Sequence, residues 1–318
     1  MTTQNSAACL MGALAADAAS LGLHWLYDPA RIAEVVGARG AAAFTPVDPA
    51  NYNGVPGYFA HGSRKNGALS QYGEVLSLAT RCMIASAGRF DDAAFQAAYA
   101  AYFGPGGAYV GYIDRPTRGT LANLAAGQTE PSGIDDDQLP AIATLPAIVV
   151  ANLGASDLST TVARAIRITN VNDAALDYGM AFAALLSMVL GGTPVAQALQ
   201  AIATGAGGTL GESLRNALQS PASSVDFGAE TGRACHLPMG LPLAFHILTR
   251  ARSFADAVEV NIRAGGDSAG RAIIIGAVMG AAHGIQGQSG IPPAYLLAMQ
   301  DGANLWAQCE TLAQFAAA

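Results

Sequence analysis

Glycine recurs at every fourth position near the end of the chain, at Gly276, Gly280 and Gly284, inside the run RAGGDSAGRAIIIGAVMGAAHG that spans residues 263–284. Residues four apart lie on one face of an α-helix. The spacing therefore predicts an apolar helix with a bare stripe, against which a second helix can pack at close range. The helix opens on Gly265-Gly266, which suits a tight turn, and then on Asp267 and Ser268, whose side chains can accept the first free amide hydrogens. A carboxylate at such a buried helix start has two uses. It can cap the helix, or it can hold a metal or activate water.

The rest of the chain fits a close-packed helical protein. Of the 318 residues, 52% are apolar and only 12% charged, with abundant Gly and Ala and few aromatics. A second small-residue helix is predicted over 6–22, with Gly12, Ala15, Ala16 and Ala19 crowded on it. Helical pattern returns at 71–88 and 91–103, then at 115–127, 137–153, 156–169, 172–190, 194–205 and 208–219. The last helices are expected at 239–250, 253–263, 268–284, 292–299 and 301–315. No run alternates with the period of two that marks a strand. The expectation is an all-α protein, one domain over 1–318, with its chemistry on the loops. Those loops are 40–68, rich in Gly, Pro, Asn and Tyr, the glycine-rich stretch Phe103 to Gly119, and 220–236.

Charge and cysteine use narrow the function. The net charge is −7, Lys65 is the only lysine, and the arginines are scattered. A nucleic-acid partner, which needs clustered Lys and Arg, is not expected. The run Ala272 to Ala282 is too short to span a bilayer, and no basic residue precedes Ala7 to Ala16 as a signal peptide would require. A cytoplasmic protein with no membrane partner is expected. Cys9, Cys82, Cys235 and Cys309 are far apart and form no CxxC pair, which fits free thiols better than a zinc site.

Several segments together resemble the ADP-ribosylglycohydrolase superfamily. They are GALAADAASLGLHW at 12–25, the helix at 72–88 followed by GRFDDAAF, the run at 263–284, and IPPAYL after it. LHWLYD, SQYGE, CHLPM and GGDSAGRA are closest to its J-type crystallin branch. The resemblance implies a single orthogonal multi-helix domain with a central cleft. It also implies two magnesium ions, held by a Thr-Asp-Asp-Thr run and by a second Asp-x-Asp-Thr run after the glycine pair. Here the first run falls on Ser70, Gln71, Tyr72 and Gly73, and in the second Ala269 and Gly270 follow the retained Asp267. Magnesium prefers octahedral oxygen coordination with carboxylate ligands. No cofactor is therefore expected, beyond at most one weakly bound Mg²⁺ near Asp267.

Two functions follow from the resemblance. One is metal-independent hydrolysis of an N-glycosidic bond in a ribosylated, nucleotide-like small molecule, with Asp267 and either Glu74 or Asp28 as the carboxylates. The other is a catalytically inactive relative that binds a ligand or serves structurally. His24, Trp25, Tyr27 and Asp28 make the densest polar-aromatic cluster. Together with Tyr72, Tyr109, Tyr112, Asp114, Ser268 and Arg271, the first three are the candidate ligand-binding residues. Arg271, four residues after Asp267, can pair with it on one helix face or offer its charge to a phosphate or carboxylate. Asp17, in an apolar helix, needs a buried partner. Cys235-His236 does not read as a nucleophilic pair, because neighbours in extended chain point to opposite sides.

Overall fold

In the computed structural model, residues 3–285 and 287–315 are described. Among them are sixteen α-helices, and the only β pairing is isolated bridges. The helices are α1 Thr3–Ser20, α2 Pro29–Arg39, α3 Gln71–Ala85, α4 Asp92–Phe103, α5 Arg115–Ala125, α6 Leu145–Ala151, α7 Leu158–Thr169 and α8 Asp173–Leu190. They continue as α9 Val195–Gly205, α10 Gly208–Gln219, α11 Ser224–Thr231, α12 Leu237–Arg250, α13 Phe254–Ala264, α14 Ser268–His283, α15 Pro293–Ala298 and α16 Gly302–Phe315. The all-α expectation is met.

Two predicted boundaries differ. The stretch 137–153 divides into a 3₁₀ turn, Leu139–Ile142, and α6. The loop 220–236 contains α11. A helix over 29–39 was not anticipated, although Pro29 at its first position and the Asp28 cap are ordinary helix-start signals.

Helices α1 and α14 form the centre. Every α1 residue from Ser6 to Ser20 and every α14 residue from Ser268 to Ala281 is buried. A helix apolar all round is stable only when it is enclosed. Here α16, α3 and α6 pack around α1, while α13, α12 and α8 pack around α14. With the turn after it, α1 is long and apolar enough to cross a membrane, as is α8, but the whole α1 window lies inside the protein.

The predicted bare stripe is where the two central helices meet. A Cβ on Gly276 would lie 2.1 Å from the carbonyl oxygen of Gly12, and one on Gly12 would lie 2.2 Å from that of Gly276. A Cβ on Gly280 would stand 2.1 Å from the Ala8 carbonyl. The third glycine does something else. Gly284 ends α14 with a φ of 68°, and its Cβ position is nearly open. Only two members of the series are there for packing, and the third is there for its backbone.

Gly276→Ala is expected to destabilise the fold by about 2 kcal/mol or more, since backbone must move to admit the methyl. Gly37→Ala, in α2 with nothing within 4 Å of its Cβ position, is expected to stabilise it by about 0.5–1 kcal/mol. Urea midpoints of the two variants should move in opposite directions.

Candidate functional site

The glycine pair before α14 sets the site. Gly265 and Gly266 have φ of 74° and 67°, and a Cβ on Gly266 would lie 2.1 Å from the Arg233 carbonyl. The turn is tied to the 23–28 segment by two backbone bonds, Trp25 N to Gly266 O and Gly266 N to Leu26 O, both 2.8 Å. Trp25 is itself held at a φ of 63°, a conformation that costs a bulky residue about 1–3 kcal/mol and marks an over-determined site. Residues 56–58 then lay a third strand of chain across it, through Tyr27 N to Pro56 O at 2.9 Å and Tyr58 N to Trp25 O at 3.0 Å.

At the centre is Asp267, fully buried. Its Oδ1 accepts from the Gly270 amide at 2.8 Å, capping α14, and from His24 Nε2 at 2.9 Å. Its Oδ2 accepts from the Tyr72 hydroxyl at 2.7 Å. The Cys235 side chain, which accepts from Trp25 Nε1 at 3.1 Å, is near enough to interact electrostatically with this carboxylate. Capping and site roles are thus combined in one side chain. Burial raises the Asp267 carboxyl, but the His24 ring, the Cys235 side chain and the Tyr72 donor outweigh it and hold the group well below the usual carboxylate range. The same arrangement keeps the hydroxyl and the thiol protonated. Burial and the Asp267 charge push both the Tyr72 hydroxyl and the Cys235 thiol up. Cys235 is therefore no nucleophile, and its neighbour His236 turns away to Asp137, with Nδ1 to Oδ1 at 2.5 Å.

A second histidine, unnoticed in the sequence, extends the network. His61 Nε2 lies 2.7 Å from His24 Nδ1, and its own Nδ1 has no partner although the residue is buried. Burial, then the neighbouring His24 and Arg64, lowers the His61 ring well below the ordinary histidine value, so it is neutral. The direction of the His24–His61 bond follows the protons on His24: a singly protonated His24 donates to Asp267 and accepts from His61, whereas a doubly protonated one donates to both. In the first arrangement the unpartnered His61 Nδ1 is an open lone pair, and in the second it carries the ring's proton. Within the featureless loop 40–68 only the residue type itself could have drawn attention to His61.

The cavity beside this chain is walled by His24, Trp25, His61, Gln71, Tyr72, Tyr112 and Asp114, and leaves about 10 Å³ for the centre of a water molecule. That is room for about one water. The Tyr112 ring stands edge-on to Trp25 at 4.9 Å, and Tyr58 covers the pair from outside. Asp114 caps α5 through the Thr117 amide at 2.7 Å, and burial pushes its carboxyl up to about 6.

Of the expected site residues, His24, Trp25, Tyr72, Tyr112 and Asp114 line this cavity. Tyr109 stands behind it, with its hydroxyl on the Tyr112 carbonyl at 3.0 Å. Tyr27 is half-buried outside the wall, near enough to feel the Asp267 charge. Asp28 is spent as the cap of α2, accepting from the Arg31 amide at 2.8 Å. Glu74 faces a different cleft, bonded to Arg64 and to the Tyr102 hydroxyl. Neither carboxylate is brought to Asp267 as its expected partner. Ser268 is buried with its hydroxyl unpartnered, apart from the cavity wall.

The expected Arg271–Asp267 pair does not form. The guanidinium is fully buried and donates to Asn261 Oδ1 and to the Asn261, Gly265 and Arg233 carbonyls at 2.6–3.3 Å. Asp267 has the non-helical geometry of a cap, with its side chain folded back on Gly270, so the rule for residues four apart on a helix does not apply. Arg271 instead holds the glycine turn, and it is not open to a ligand.

The run at 70–73, which stands where the resemblance implies a metal-binding run, is fully used inside the protein. The amide of Ser70 donates to Asp17 Oδ2 at 2.7 Å, and its hydroxyl donates to Asp17 Oδ1. The Gln71 carbonyl oxygen accepts from the Asp114 amide at 2.8 Å, and its side-chain NH₂ donates to Thr117. A Cβ on Gly73 would lie 2.4 Å from Asp17 Oδ2. A di-magnesium centre does not fit this donor set. Asp267 is the lone carboxylate of the two runs, its neighbours are imidazole, phenol and thiol, and its oxygens are already taken. Among the described residues no group of three His, Cys, Asp or Glu side chains is arranged to hold a metal ion.

Residues 2–318 match the ADP-ribosylglycohydrolase family, and the chain belongs to it. Two curated relatives are similar along most of their length: Crystallin J1A of Tripedalia cystophora, 26% identical over 293 residues, and Crystallin J1B of the same animal, 26% over 296, with 88% of each chain covered in both comparisons. A solved structure titled "ADP-ribosylglycohydrolase-related protein complex" has the same fold, with a TM-score of 0.76, 18% identity, and 99% of this chain and 98% of that one covered.

Two outcomes check this description of the site. Burial pushes the Asp17 carboxyl from 3.8 up to about 7, with the Ser70 bonds only partly opposing. A raised folded-state value means stability that is fully present below 3.8 and lost as the pH rises through about 7, at about 1.4 kcal/mol per pH unit in between. Asp17→Asn removes that titration, so urea unfolding should show the variant gaining on the wild type from pH 4 to 8. A constant gap across that range would contradict it. Tyr72→Phe leaves a buried anionic oxygen short of a donor and should lower stability by about 1.5–3 kcal/mol, read from the same denaturation curves.

Proposed function

We propose that this protein has kept the ADP-ribosylglycohydrolase fold without the family's two-magnesium hydrolysis and acts as a structural or ligand-binding protein. The observation that carries this reading is the state of Asp267. The one acidic residue left in the two runs spends its oxygens on His24, Tyr72 and Gly270, beside a cavity with room for one water. A magnesium ion would have to displace protein donors from a buried carboxylate and bring its own waters into space the side chains fill. The similarity to J crystallins fits the same reading.

One observation favours a second reading, metal-independent cleavage of an N-glycosidic bond. The unpartnered Nδ1 of His61 and the Asp114 carboxyl, pushed up to about 6, line one cavity. A base at the end of an aspartate-anchored relay and an acid across from it are the two groups such a hydrolysis uses. Opening would require Tyr58, Tyr112 and the 56–61 segment to move aside.

Melting temperatures with ADP-ribose, NAD, nucleosides and ribose phosphates, each with Mg²⁺ and with EDTA, separate the readings when run beside an assay for release of ADP-ribose from an N-ADP-ribosylated protein. The expected result is no release and no shift from Mg²⁺ alone, because an ion that bound the folded state would raise stability. A Mg²⁺ shift or Mg²⁺-dependent release overturns the main reading. Release in EDTA that is lost in His61→Asn establishes the second.

A further inference from the structure

The largest open cleft of the protein is not the one at Asp267. It has a volume of about 560 Å³, within the ~300–1,000 Å³ usual for small-molecule sites, and lies between one face of α3 and one face of α16. The 63–69 segment closes one end, and the chain after α4 closes the other. Glu74, Ser77 and Arg81 face it from α3, at the spacing of a single helix face, and so do Asp301, Asn304, Leu305 and Gln308 from the start of α16.

Its charges are unevenly satisfied. Three cations, Arg64, Lys65 and Arg81, line it against two carboxylates, Glu74 and Asp301, in a chain whose net charge is −7. Arg64 and Glu74 cancel one another in an ion pair sealed by the Tyr102 hydroxyl. Asp301 accepts from the Asn304 side chain at 2.9 Å. Arg81 has no such partner. It is half-buried, donates to the neutral Ser77 hydroxyl at 2.7 Å, and rests 5.6 Å from the centre of the Tyr102 ring, with no carboxylate within ion-pair distance among the described residues. Lys65, exposed at the rim, is likewise unpaired. On the α16 side, the side-chain oxygen of Gln308 is buried with nothing donating to it. A cation over an aromatic ring and a buried acceptor without a donor share one walled cleft. Each is incomplete in the free protein, and the two ask for opposite halves of one molecule.

We infer that the cleft between α3 and α16 binds a small organic oxyanion, a phosphate monoester or a carboxylate, that also carries a hydroxyl or amine. The oxyanion meets the planar fork of Arg81 and the ammonium of Lys65, and the donor group meets Gln308. The apolar wall of Ala68, Leu69 and Leu305 covers the carbon skeleton between them. This site is separate from the Asp267 cavity, and it holds whether or not that cavity supports hydrolysis.

Calorimetric titration at constant ionic strength tests it, with ribose 5-phosphate, gluconate, inorganic phosphate and, as a neutral counterpart, ribose. Saturable binding of ribose 5-phosphate or gluconate is expected, weaker for inorganic phosphate and absent for ribose. Binding of only one of the two organic anions fixes which oxyanion the cleft prefers. Arg81→Gln and, at a position that cannot disturb folding, Lys65→Gln should each weaken it at least fivefold, while Arg89→Gln, an exposed charge elsewhere on the surface, leaves it unchanged. The inference is overturned by no saturable binding of either organic anion, by equal binding of ribose, or by equal weakening in all three variants.

Discussion

A carboxylate removed from water is tolerated only when its oxygens are met by donors, and losing one partner costs more than the bond itself is worth. Asp267 is such a group, and much of the central structure is arranged to satisfy it. His24 comes from the turn after α1, Tyr72 from the first turn of α3, and the Gly270 amide from α14 itself. Three stretches of chain remote in sequence are fixed by one side chain. Arg271 supports the arrangement from behind. It meets the carbonyls of the glycine turn, and so the backbone that presents Asp267 has no loose polar ends.

The segment 70–73 ties α3 to three other helices. Ser70 binds Asp17 on α1, Gln71 binds Asp114 and Thr117 at the start of α5, and Tyr72 binds Asp267 at the start of α14. Consecutive residues each reach a different wall of the ancestral cleft. A metal pair can join helices by sharing their carboxylates. Here the same helices are joined by hydrogen bonds between side chains, and stacked rings of His24, His61 and Trp25 occupy the space between them. The helices are held near one another in any case by the contact of α1 and α14 through Gly12, Gly276 and Gly280, which owes nothing to the site.

Much of this was legible in the sequence. The glycine spacing named the central helix contact, and the glycine pair with Asp267 named the turn that carries the buried carboxylate. What escaped was direction. Glu74 is two residues beyond Tyr72, about 200° around the helix, and so it faces the other side of α3. Asp28 seemed free because the helix it caps had not been seen. Arg271 was matched to Asp267 by a rule for helical side chains, when Asp267 is a cap with its own backbone geometry. His61 was invisible for a different reason. Its place depends on the pairing of 56–58 with 25–27, a contact between two irregular segments that no periodicity encodes.

The His24–His61 pair also bears on how such a site could evolve further. Two imidazoles in contact cannot both be charged at low cost, and burial already keeps His61 neutral. The pair therefore links Asp267 to the cavity through two rings, of which the outer one is neutral. An oxocarbenium-like centre gains from a fixed anion nearby, but Asp267 is now two rings and a hydrogen bond removed from the open nitrogen. Its charge is also met on the way by His24. A site built this way has an imidazole at the cavity wall but keeps its fixed anion away from it. Asp114, the one carboxyl that lines the cavity directly, is the acid of such a hydrolysis and becomes anionic only as it gives its proton to the leaving group.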